Sequence, residues 1–426
     1  MSQDGDDSVR LPRALLGQAS VVLAELLRFS APADETLSRF FRAHRDLGRK
    51  DRSFIAEGVF AVLRRKRSLE LAAGSAEPRA LLLAALLRVN GFSARALEGM
   101  LKPDEQTLVS RIKSARLENV PPAVRADLPD WLWQKLVAEH SEEEAMRIAQ
   151  ALLNPAALDL RVNLARVDRQ AVLERLAADG IEASATRYSP AGIRLASKIA
   201  INRHPLFADG LIEVQDEGSQ LLAWLLGPRR SEMIVDYCAG AGGKTLALAM
   251  LMRGTGRVYA MDVSVKRLAA LGPRAARAGI TSVHPIALSG DNDSRVKRLA
   301  GKIDRVLVDA PCSGFGTLRR NPDLKWRQGP QAIAELAQKQ GRILDSASRL
   351  VKPGGRLVYA TCSILGEENE AVVDAFAVRR PEFKELSCAE LVSAQRIPLQ
   401  VGQRLRLWPH AHGTDAFFAA AFERVE

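Results

Sequence analysis

The chain has 426 residues and is 47% hydrophobic, enough for about two to four domains, each with its own buried core. Its formal net charge of +11 and isoelectric point of about 9.7 favour a polyanionic partner, of which nucleic acid is the commonest. Four cysteines, Cys238, Cys312, Cys362 and Cys388, form no C-x-x-C pair. That argues against zinc and redox motifs and fits free thiols in a reducing cytoplasm.

Residues 1–10 are polar and lack an apolar core, so they are expected to be disordered and not a signal peptide. From about 11 to 125 the apolar spacing is helical. Val21, Val22, Leu23, Leu26 and Leu27 cluster on one face, and Phe54, Val59, Phe60 and Leu63 recur at three- and four-residue spacing. Helix starts are expected at 30–34 and at Ser93. The longest apolar run, 80–87, is too short to cross a membrane and reads as a buried helix. Arg49, Lys50, Arg52 and the run Arg64-Arg-Lys-Arg67 form a basic strip. It reads either as a solvated face or as a surface for phosphates.

Prolines at 121, 122 and 129 interrupt the pattern. Residues 130–153 read as helices with Trp131, Trp133 and Leu136 on an apolar face, and Asn154-Pro155 stops them. Residues 158–163 alternate as a strand. An amphipathic helix over 168–179 follows, with Gly180 as its stop. Two more short strands are expected at 183–188 and 192–195, and this small α+β unit ends near Phe207. Beyond a helix at 220–226, strands at 233–235, 257–261, 283–288, 303–308 and 356–360 alternate with helices. That alternation predicts a parallel, doubly wound α/β sheet. Residues 404–408 and 417–422 read as two further strands, expected to pair antiparallel at the sheet edge. His410 and His412 have no other ligand cluster near them, so no metal is expected.

The most informative stretch is Asp236-Tyr-Cys-Ala-Gly-Ala-Gly-Gly-Lys-Thr245. An apolar strand leads in and an apolar helix leads out, so the glycines sit in a tight βα turn that a ligand can approach. A phosphate loop would need glycine where Cys238 stands. A dinucleotide fingerprint would need glycine where Thr245 stands. The pattern that remains is an acid ending the first strand, the glycines, and a second acid, Asp262, ending the next strand. S-adenosylmethionine fits it best, against the plainer reading of a structural turn. Two thiols also fall at predicted strand ends. Ile303–Asp309 runs into Cys312, and the strand at 356–360 runs into Cys362, so both should face the cleft at the carboxyl ends of the strands.

The stretches Asp236–Thr245, Asp309-Ala-Pro-Cys-Ser-Gly314, Arg319-Arg-Asn-Pro-Asp-Leu-Lys-Trp326, 350–363 and Glu367-Glu-Asn-Glu370 resemble the Nop/Sun (RsmB-type) family of RNA cytosine-5 methyltransferases. The match runs from about Val214 to the C-terminus, and two separate cysteine motifs make it specific. More loosely, residues 46–64 resemble the NusB-like RNA-binding domain of RsmB-type members. The resemblance implies three parts: an all-helical NusB-like domain at 1–125, a small helical and α+β (RRM-like) subdomain at 126–212, and a Rossmann-like methyltransferase domain at 213–426. It implies that Cys362 is the nucleophile, that Cys312 assists product release, and that Asp309 contacts the target base beside the cofactor. It places the methionine end of S-adenosylmethionine on Cys238, Ala239, Gly240, Ala241, Gly242, Gly243 and Lys244, the ribose on Asp262 and the adenine on Asp291. The turn reads Ala239-Gly-Ala-Gly242 where many members have Ala-Ala-Pro-Gly; the turn-forming glycines remain. In DNA cytosine methyltransferases the two thiol roles are reversed, and the spacing here does not decide between the orders.

Arg319, Arg320 and Lys325 follow the Pro-Cys motif and are expected to line the RNA path. Trp326 reads either as a brace or as an RNA-stacking ring. Cys238 and Cys388 read as small packed residues. The reading is therefore a monomeric cytoplasmic enzyme making 5-methylcytosine in RNA, expected to be small-subunit ribosomal RNA. The alternative is a non-catalytic RNA-binding or ribosome-assembly protein on the same fold.

Overall fold

A computed structural model describes residues 13–290 and 293–425. The expectation for residues 1–10 and the assignment of Asp291 lie outside the described residues. The chain forms two compact units. One comprises the chain up to Asn154 together with Leu318–Gly329; the other comprises Pro155–Thr317 and Pro330–Glu426. Among the described residues no helix is long and apolar enough to cross a membrane.

The first unit is helical, as its periodicity predicts. Its central helix, Pro78–Arg88, carries the 80–87 run and buries Ala80 through Leu86. Helices Arg13–Leu26, Arg49–Arg64, Lys66–Ala73 and Gln106–Ser114 pack around it. Val22, Leu23 and Leu26 enter this core, but Val21 points outward. Ser93 caps the helix Ala94–Leu97 by accepting from Ala96 N at 3.1 Å. Helices Asp130–Glu139 and Glu142–Leu152 group with this compact unit.

Leu318–Gly329 completes the helical unit. The last carbonyls of Arg49–Arg64 have no partner within their own helix. Trp326 Nε1 donates to Leu63 O at 2.7 Å, and Lys325 Nζ donates to Arg64 O at 2.8 Å. In return the Arg64 guanidinium donates to Arg319 O at 3.1 Å. The Lys66 and Lys325 ammonium groups lie 5.5 and 5.0 Å from the Trp326 ring centre, within cation–π range.

In the second unit, strands β1 (Leu158–Val162), β2 (Ala183–Ala185), β3 (Gly192–Leu195) and β4 (Ile212–Val214) make an antiparallel sheet ordered β2–β3–β1–β4. Strand β4 closes this sheet by pairing with β1, Leu160 opposite Val214, so the sheet runs past Phe207. The expected strand at 183–188 stops at Ala185, because Tyr188 and Ser189 turn their N–H groups onto Glu217.

The larger sheet comprises β5 (Met233–Asp236), β6 (Arg257–Asp262), β7 (Val283–Ala287), β8 (Ile303–Asp309), β9 (Val351–Thr361), β10 (Phe383–Leu386), β11 (Leu405–Leu407) and β12 (Phe417–Arg424). The order is β10–β12–β9–β8–β5–β6–β7, with β11 also on β12. Strands β5 to β9 are parallel. Their near-continuous apolar runs are those of a sheet covered on both faces. The β11–β12 pair is antiparallel as expected. However, β12 is not an edge strand: it lies between β9 and the unpredicted β10. Strand order reverses at β5, flanked by β6 and β8, which is the switch point where open α/β sheets bind ligands.

Candidate active site

The glycine turn leaves the carboxyl end of β5. Asp236 ends that strand fully buried, and Thr245 Oγ1 donates to its Oδ2 at 2.7 Å. Its Oδ1 is buried with no donor from the chain. Burial, against the Thr245 hydrogen bond and aided by the Asp309 charge, pushes this carboxyl up to about 7. Gly242 has φ +85°, and a Cβ there would stand 2.2 Å from Leu271 Cδ1, so the position requires glycine. Ala239 N donates to Met261 O at 2.9 Å, which stitches the turn to β6.

Asp262 ends β6, buried. Its Oδ2 accepts from Gly240 N at 2.9 Å, and its Oδ1 accepts from Ser264 N at 2.7 Å and from the Arg267 guanidinium at 3.0 Å. It therefore fixes the turn directly. With one donor on Oδ2, that oxygen keeps capacity for another. Asp293, the neighbour of Asp291, is committed to capping: it accepts from Ser289, Arg295 N and the Arg295 guanidinium. That guanidinium, with the backbone donors, holds its carboxyl well below the usual range.

These residues fit S-adenosylmethionine. Asp262 and Asp309 place two acids at the strand ends, where opposite charge suits a sulfonium. Asp236 Oδ1 calls for a donor that the chain does not supply, and Asp262 can accept from a ribose hydroxyl.

The thiols come together at the ends of β8 and β9. Cys312 Sγ and Cys362 Sγ lie 3.4 Å apart. The hydrogen bond to Cys362 pushes the Cys312 thiol well up, and burial and the charges of Cys362 and Glu368 push the same way. Lys244 Nζ donates to Asp309 Oδ2 at 2.7 Å, tying the helix after the turn, Gly243–Leu251, to the end of β8. Burial works against the Lys244 ammonium, but Asp309 and the Cys362 charge outweigh it and raise it. A firm cation thus stands where it can favour a thiolate. Its ammonium also lies 5.6 Å from the Phe417 ring centre. Burial, with the charges of Asp309, Asp236 and Asp262, pushes the Cys238 thiol well up. That suits a packing residue. Cys388 is fully buried and pushed up to about 11, mainly by burial.

The structure does not set the three basic residues after the Pro-Cys motif along an open groove. Lys325 and Arg319 are buried and Arg320 is half-buried, all within the helical unit. Lys325 spends its ammonium on a helix carbonyl, and burial lowers it to about 7 against the opposing Asp127 charge. This corrects the expectation for Lys325 and Arg319, and makes Trp326 a brace. The basic run at 64–67 is likewise half-buried and engaged: Arg67 pairs with Asp130 at 2.6 Å and Lys66 with Glu70 at 2.7 Å.

Two groups of residues escape sequence reasoning. The first is a buttress from the small sheet. Arg161 on β1 donates to Gly243 O at 2.7 Å, and Arg274 donates to Ala241 O at 2.6 Å and to Glu213 on β4 at 2.9 Å. The second is Glu368 with its donors, within the Glu367-Glu-Asn-Glu370 stretch. Each charge is held by a partner far away in sequence, and spacing along the chain does not reveal it.

Comparison with known proteins gives the family. Residues 223–423 match the family described as 16S rRNA methyltransferase RsmB/F, and residues 128–202 match the ferredoxin-like domain of RsmF/B-like methyltransferases. The probable ribosomal RNA small subunit methyltransferase B of Synechocystis is 31% identical, over 96% of this chain and 98% of its own. Its namesake in Bacillus subtilis is 35% identical, over 71% and 67% respectively. The crystal structure of PH0851 aligns with a TM-score of 0.78 at 25% identity, covering 97% of this chain and 99% of that one. Two thiols in contact, an acid and a lysine beside a glycine turn, and a relative matched nearly end to end lead to one conclusion: the chain belongs to the RsmB/F family of S-adenosylmethionine-dependent rRNA methyltransferases.

Proposed function

We propose that this protein methylates carbon 5 of a cytosine in small-subunit ribosomal RNA, with Cys362 as nucleophile and Cys312 serving release. The observation that carries it is the 3.4 Å contact between the two thiols beside the Lys244–Asp309 pair. Carbon 5 of cytosine is a weak nucleophile. A Cys362 thiolate adding to carbon 6 makes an enamine-like ring whose carbon 5 can accept a methyl group, splitting one hard step into two. S-adenosylmethionine, held by Asp236, Asp262 and the glycine turn, supplies that methyl. Asp309 and Lys244 sit where they can engage the polar edge of the base. A base must then take the proton from carbon 5 so that the carbon 6–sulfur bond breaks, and Cys312 assists that step. The division of roles follows the family resemblance of the Thr-Cys-Ser and Pro-Cys-Ser motifs. The thiolate approaches from above the ring plane, so the target cytosine is unstacked. Reduced thiols and a ribosomal substrate suit a cytoplasmic protein, and it acts as a monomer.

The test is adduct trapping. Cys362→Ala should abolish methyl transfer and give no protein–RNA adduct on a denaturing gel. Cys312→Ala should still attack and transfer methyl, and remain joined to its product through Cys362. The reverse pattern would exchange the two roles.

A further inference from the structure

Glu368 lies just beyond β9, before the helix Glu370–Arg379, and is fully buried. Its carboxylate accepts four hydrogen bonds, all from neutral groups. Ser313 N donates to Oε1 at 2.8 Å, and Gln340 Nε2 donates to the same oxygen at 2.9 Å. The hydroxyls of Ser313 and Ser363 both donate to Oε2. Ser313 follows Cys312, and Ser363 follows Cys362. One side chain thus holds the residue next to each thiol. Gln340 strengthens the link by also donating to Pro311 O, the residue before Cys312, at 3.0 Å. Glu368 is itself anchored, because Tyr359 Oη donates to its carbonyl at 2.6 Å.

A buried carboxylate is a costly way to fill space. Four donors offset that cost: three come from two loops some 50 residues apart in sequence, and the fourth, Gln340, from the helix Pro330–Ser348. Reactions between held groups lose about a hundredfold for a displacement of about 1 Å, so a device that fixes both loops acts directly on the chemistry.

We propose that Glu368 is the positioning residue that sets the approach of Cys312 to Cys362. The proposal rests on both thiols serving the reaction, but not on which of them attacks. Oxidative cross-linking of the full chain measures the approach itself. Diamide takes two electrons and two protons from the thiols and becomes the hydrazine, leaving a Cys312–Cys362 disulfide that peptide mass spectrometry identifies. Glu368→Ala should slow that cross-link about tenfold or more. It should lower kcat in parallel and leave the RNA KM and the cofactor Kd near wild type. Glu368→Gln keeps the volume and one accepting oxygen, and should recover most of both rates. Should Glu368→Ala fail to fold, the Ser313→Ala/Ser363→Ala double variant removes the same links and should show the same slow cross-link. Wild-type cross-linking in the alanine variant, or lost turnover with wild-type cross-linking, overturns the proposal. So does a wild-type protein whose thiols do not cross-link. Exchanged roles for the cysteines would appear separately, in the adduct pattern, and leave the cross-linking result intact.

Discussion

Asp236 is a buried carboxyl whose Oδ1 has no donor from the chain, and its proton is held up to about 7. A carboxyl raised in the fold binds more protons folded than unfolded, so it favours folding below the unfolded value of 3.8. That contribution is lost as pH rises toward 7. Without cofactor, Asp236→Asn should therefore gain in melting temperature relative to wild type between pH 4 and 7, with the gain level above that. A difference independent of pH would mean that Asp236 is ionised normally. Asp236 and the glycines were legible in the sequence because their motif is contiguous and its local geometry requires those residue types. The fates of Lys325 and Glu368 were not. Lys325 is decided by a carbonyl at position 64, and Glu368 by a serine at position 313; linear spacing carries no trace of either.

At the scale of elements, the parallel strands could be read because each is an apolar run covered on both faces. Strand β10, Phe-Lys-Glu-Leu, is too short and too polar to show a period. It exists because β12 presents a free side to it, which also moved β12 away from the edge. The segment 318–329 caps the helix Arg49–Arg64. Lys325 tests this. Its pKa is lowered to about 7 from 10.5, so the unfolded chain binds the extra proton between those values. Wild-type stability should then rise with pH across that window. The melting-temperature difference of Lys325→Met from wild type should fall between pH 7 and pH 9, by calorimetry. Trends that stay parallel would place Lys325 in solvent.

For the whole molecule, the positive charge that favours RNA has to be sought outside the engaged run at 64–67. Arg42, Arg45, Arg49 and Lys50 are exposed on the helical unit. Replacing all four by glutamate should weaken RNA binding and flatten its dependence on salt, by about 0.7–0.9 in log–log slope for each phosphate that is no longer neutralised. Cofactor affinity should stay unchanged; an unchanged salt slope would clear this face of any part in binding RNA. The division of the chain bears also on how it is made. Domains generally fold as they leave the ribosome, N-terminal first. Here the helical unit includes Leu318–Gly329, so it cannot finish folding when its own helices have emerged. It must wait, with the end of Arg49–Arg64 uncapped, while most of the catalytic sheet is synthesised. A stalled nascent chain ending at Asn154 should accordingly be more sensitive to protease than the same residues in the finished protein, and a synthetic peptide of 318–329 should restore part of the protection. A part translated early is among the last to be completed.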